Sequence, residues 1–146
     1  MIDLKNCTFI IPLRIESEDR MRNVITVLCY LLENFDTKVI VKEVDVESVF
    51  QEAVLPQIQE YLGDSLKKLV HVFERSEDPV FYRMKILNEM IDMVETPVIA
   101  NYDCDVLFKP ETYVESVDMI MEGCDIVYPY GFGEYQKQVF ADDDDV

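Results

Sequence analysis

The chain has 146 residues, 49% of them hydrophobic, and a formal net charge of −17. A single domain with a real apolar core is the expectation at this size. The acidic balance excludes nucleic acid or an anionic membrane surface as the main partner. No apolar run reaches the roughly 18 residues a membrane span needs, and Met1-Ile2-Asp3-Leu4-Lys5 lacks a signal-peptide core, so a cytoplasmic protein is expected.

Thr8 to Pro12 is almost wholly apolar and ends in proline, which predicts a strand buried on both faces. Glu16 to Arg20 is rich in helix-start residues, and Met21, Val24, Val27/Leu28, Leu31/Leu32 and Phe35 follow at helical spacing. Thr37 to Val44 predicts a second strand. Val46 to Leu62 predicts a helix broken or kinked at Pro56, with Gly63 as its cap. Leu69 to Phe73 is the third strand, Phe81 to Val94 a helix, and Val98 to Tyr102 the fourth strand. Pro110 opens another helix, Gly123 ends it, and Asp125 to Tyr128 predicts a fifth strand. Met84, Met90 and Met121 fall at helical spacing and are expected in the core.

Strands alternating with amphipathic helices predict an α/β fold: a doubly wound, mostly parallel, Rossmann-like sheet in a three-layer sandwich. Ligands bind beyond the carboxyl ends of the strands in such sheets. Those ends fall at Pro12 to Arg14, Glu43 to Asp45, Glu74/Arg75, Asp103 to Asp105 and Pro129 to Gly131. Cys7, Cys29, Cys104 and Cys124 form no CxxC pair, and His71 is the one histidine, so a structural zinc site is not expected. Cys7, Cys29 and Cys124 sit in apolar stretches and are expected to be buried free thiols in a reducing compartment. Residues 141–146 read as an acidic, disordered tail.

With 15 aspartates in the chain, a DxD triple on its own carries little information. Asp103-Cys104-Asp105 gains weight because it directly follows an apolar strand. Extended backbone would turn both carboxylates to one side. Like charges so placed call for a cation or a donor, and hard divalent ions, Mn²⁺ or Mg²⁺, favour oxygen ligands. Such an ion can bridge two phosphates of a nucleotide and neutralise a leaving group. The plainer alternative is a solvated surface turn.

Two further stretches carry a resemblance. Phe81-Tyr82-Arg83-Met84-Lys85-Ile86-Leu87-Asn88 is similar to the FNRAKLLN-type helix start of β-1,4-galactosyltransferases and related family 2 glycosyltransferases. Ile10-Ile11-Pro12-Leu13-Arg14-Ile15-Glu16 resembles the first strand and PFRxR-type turn of the same enzymes, with Glu16 in place of the second arginine. The resemblance implies a GT-A fold over residues 1–140, incomplete on its acceptor side, that binds a UDP-sugar. It implies that Pro12 and Arg14 line the nucleotide site, that Phe81 and Arg83 contact uridine and its phosphates, that Asp103 lies near ribose and metal, and that Asp105 ligates the metal. Glu43 or Asp45 stands where such enzymes place an acidic contact to base or ribose. The sugar would pass to a glycan or other hydroxyl acceptor. No WGxED-like acceptor motif follows Tyr130-Gly131-Phe132-Gly133, so no catalytic base is assigned, and His71, inside a strand, does not supply one.

Arg14, Arg75, Arg83 and Lys85 form the expected basic rim. Their alternative is pairing with nearby acids: Arg75 with Glu74 or Glu77, and Arg83 with Asp78. Phe81 packs on a base or acts as a hydrophobic staple. Tyr128, Tyr130, Phe132 and Tyr135 suit sugar stacking or an exposed edge. A second functional reading is a non-catalytic nucleotide-sugar-binding module. A nucleotidyltransferase would need a glycine-rich turn after the first strand, and a receiver domain would need an acidic cluster there; neither is present.

Overall fold

The computed structural model describes residues 1–129. The chain divides into two compact units, Met1–Leu107 and Phe108–Val146. The first unit is built on four parallel strands: β1 (Ile2–Leu13), β2 (Phe35–Asp45), β3 (Leu69–Arg75) and β4 (Val98–Asn101), in the order β3-β2-β1-β4. Its helices are α1 (Glu18–Asn34), α2 (Leu55–Leu62) and α3 (Arg83–Ile91). The expected Rossmann-like α/β arrangement is therefore present.

Parallel strands need crossovers, and these are right-handed. From β1 to β3 the chain moves in one direction, which places α1 and α2 on one face. The step from β3 to β4 runs back across the sheet, which places α3 on the other face. Ile86, Leu87 and Met90 of α3 accordingly bury themselves against Ile10, Ile40 and Val44. Helix α1 buries Val24, Val27, Leu28, Leu31 and Leu32, one stripe at helical spacing, and packs on β2 and α2. The central strands are buried on both faces over Cys7 to Leu13 and Val39 to Val44, and the apolar stretches Phe9 to Ile11 and Val39 to Val41 mark them in the sequence.

Helix α1 starts where sequence chemistry puts it: the Ser17 hydroxyl accepts from the Arg20 N–H at 3.1 Å. Its carboxyl end is closed by Lys68, whose Nζ donates to the carbonyls of Leu32 at 2.6 Å and Phe35 at 2.8 Å. The segment expected as one kinked helix divides into a π-helical turn, Phe50–Val54, followed by α2. Pro56 in the first turn of α2 lacks an N–H and crowds the carbonyl four residues back, and the wider turn before it relieves that crowding. Gly63 ends α2 at φ 55°, a left-handed conformation that a Cβ disfavours.

In the second unit, α4 (Pro110–Met121) opens on Pro110 as expected, and the Phe108 N–H donates to the Tyr113 hydroxyl at 3.0 Å. Among the described residues Asp125 to Tyr128, predicted as a fifth strand, lies in no strand, and Ile126 is 70% exposed. A four-residue apolar run becomes a strand only where a neighbouring edge pairs with it. Two of the methionines are likewise outside the core: Met90 is buried, while Met84 and Met121 are exposed, because helical spacing alone does not fix the width of the buried stripe. Of the thiols expected in the core, Cys7 is buried and its pKa is pushed up to about 12 by that burial. Cys29 is half-buried and Cys124 exposed. The segment after Pro129, with Tyr130, Gly131, Phe132 and Tyr135, lies outside the described residues, as does 141–146.

Candidate functional site at the carboxyl ends of β1 and β4

The strand order reverses at β1. The chain leaves β1 toward α1 on one face, whereas β4 is reached from α3 on the other. That topological switch point is where open α/β sheets form their ligand crevice. The Tyr102 N–H donates to the Ile10 carbonyl at 3.1 Å, so residues in phase with Ile10 direct their polar groups toward β4. Pro12, two residues on, would face a strand that has already ended, so its missing N–H costs no ladder bond there.

On the β4 side, Tyr102 and Cys104 are buried, while Asp103 and Asp105 are exposed. The chain turns at Cys104-Asp105 instead of running on extended, yet both carboxylates remain on the solvent side as the alternation predicts. The turn is braced from within. The Tyr102 hydroxyl donates to the Val106 carbonyl, bracketing the acidic pair, and the Tyr102 ring meets Phe9 edge-on at 5.4 Å. Arg20, in the first turn of α1, brings its Nη1 to 3.8 Å from the Cys104 sulfur. Burial raises the Cys104 thiol pKa, and the Arg20 charge opposes that rise. Arg20 is absent from the sequence-based assignment; the signal for it was its place one turn after the Ser17 cap, directly beyond β1.

On the α3 side, Arg83 Nη2 donates to Asp103 Oδ1 at 2.7 Å, and both side chains remain about half-exposed. Two motifs 20 residues apart are thus joined in one ion pair. Asp78, the alternative partner for Arg83, instead accepts from the Val80 N–H at 2.9 Å and from the Tyr82 hydroxyl, which raises the Tyr82 pKa. Arg75 pairs with Glu77 at 2.9 Å, and Lys85 lies exposed.

Arg14 is placed differently from an open phosphate clamp. The residue is 8% exposed. Its Nε donates to the Val44 carbonyl at 2.8 Å and its Nη1 to the Pro79 carbonyl at 3.1 Å. The guanidinium lies over the Phe81 ring, 5.5 Å from its centroid. Nη2 is buried and has no hydrogen-bond partner among the described residues, so both of its N–H groups are unspent. Phe81 itself packs against the α3 core cluster. The Phe81 ring therefore serves as a hydrophobic anchor and as the seat of Arg14.

The two acidic residues at the end of β2 also separate in role. Glu43 is fully buried and accepts from Ser48 Oγ at 2.6 Å and the Phe50 N–H at 3.1 Å, with His71 Nε2 at 3.1 Å. Burial pushes its pKa up, but those partners outweigh it and leave the pKa lowered. That network is internal to the fold. Asp45 is half-buried, accepts from the Val46 N–H at 2.7 Å, and through its carbonyl receives the Ser76 N–H at 2.9 Å. His71 stacks on Phe50, with ring centroids 4.4 Å apart. On the opposite face, buried Lys42 meets Glu89 and Glu74, tying β2 to α3 and β3.

No group of three histidine, cysteine or acidic side chains converges among the described residues. Asp103 and Asp105 therefore do not suit a closed, all-protein metal cage. They do suit an ion such as Mg²⁺, which takes one or two carboxylates and completes its shell with water and substrate phosphates. No described helix is long and apolar enough to cross a membrane. Neither family models, nor curated proteins, nor solved structures give a match to this chain.

Proposed function

We propose that this chain is a donor-binding domain of GT-A glycosyltransferase type. In this reading it holds the diphosphate of a UDP-sugar at the β1/β4 crevice, with a divalent cation, Mn²⁺ or Mg²⁺, on Asp103 and Asp105. The observation that carries the reading is the Arg83–Asp103 contact at 2.7 Å. It unites the helix-start motif and the acidic motif at the switch point, where a parallel sheet receives ligands. Arg83, half-exposed at the start of α3, faces the phosphates; the amino end of that helix adds a favourable field. Arg14 and Phe81 set the floor beneath it, and Asp45 stands at the rim toward base or ribose. The cation would neutralise the departing diphosphate as the sugar passes to a hydroxyl of a glycan or another acceptor. A reducing, cytoplasmic setting agrees with four free cysteines.

Calorimetry with UDP, with Mn²⁺ and with chelator, tests this reading. UDP binding that depends on Mn²⁺, and that loses this dependence in Asp105→Ala, is expected. Absence of binding at millimolar UDP with Mn²⁺ contradicts it. A second reading, a nucleotide-sugar-binding module without turnover, is favoured by one observation: the single histidine is engaged by Glu43 and Phe50 and is not available as a base. Release of UDP from UDP-sugar, with or without an acceptor, would decide for the transferase.

A further inference from the structure

We draw no further inference here: the strongest candidate, the side-chain cluster at the end of β1 in which Arg14 lies over Phe81 and keeps its buried Nη2 without a hydrogen-bond partner among the described residues, belongs to the site already described.

Discussion

Buried Arg14 donates from Nε to the carbonyl of Val44 at 2.8 Å, so the end of β1 grips the end of β2. The same guanidinium reaches the Pro79 carbonyl at 3.1 Å and lies over Phe81. One side chain thereby fixes three segments that border the crevice. Its remaining nitrogen, Nη2, has no hydrogen-bond partner among the described residues.

Arg14→Met keeps the apolar stem and removes both charge-assisted bonds. The variant should lose on the order of 2–4 kcal/mol of stability, read as a lower urea midpoint. Amide exchange in residues 76–82 should accelerate more than exchange in β1, since the Pro79 carbonyl loses its donor. Unchanged exchange in that loop would show that Arg14 does not hold it.

Glu43 predicts a pH dependence. Its pKa is lowered in the folded chain, with burial opposed by His71, Ser48 and the Phe50 N–H. Its stabilising contribution is therefore present above its unfolded pKa and is lost as pH falls through the lower, folded value. The melting temperature of the wild type relative to Glu43→Gln should be greatest above about pH 5 and should shrink on acidification toward pH 3. A difference that grows on acidification would contradict the lowered pKa.

Lys68 closes α1 by donating to two carbonyls at its end, and burial lowers its pKa. Lys68→Met keeps the stem and removes these donors. A loss of roughly 1 kcal/mol is expected, with the last turn of α1 fraying first in amide exchange. Full retention of stability would make the contact incidental.

The order of strands and helices was legible because each strand from β1 to β4 contains a short apolar stretch and each helix of the first unit carries its own stripe. The carboxyl-end residues followed from that order. What was hidden depended on tertiary partners. Arg14 reads as exposed because arginine is rarely buried unless paired, and its partners are main-chain carbonyls 30 and 65 residues away. Glu43 and Asp45 are two residues apart and could not be ranked until Ser48, Phe50 and His71 were seen to claim Glu43. Arg83 had a nearby acid in Asp78, yet it pairs with Asp103, because the crossover returns β4 to its side. Asp125 to Tyr128 has strand composition but lies in no strand among the described residues.

The central claim is that Asp103 and Asp105 hold a cation completed by a nucleotide diphosphate, in a chain whose net charge of −17 offers many nonspecific sites. Paramagnetic broadening by substoichiometric Mn²⁺, followed by NMR with and without UDP, tests it most directly. The account predicts that UDP concentrates the broadening at the amides of 103–106 and at Arg83. Broadening that stays scattered over the acidic surface, with the 103–105 resonances sharp in the presence of UDP, would contradict it.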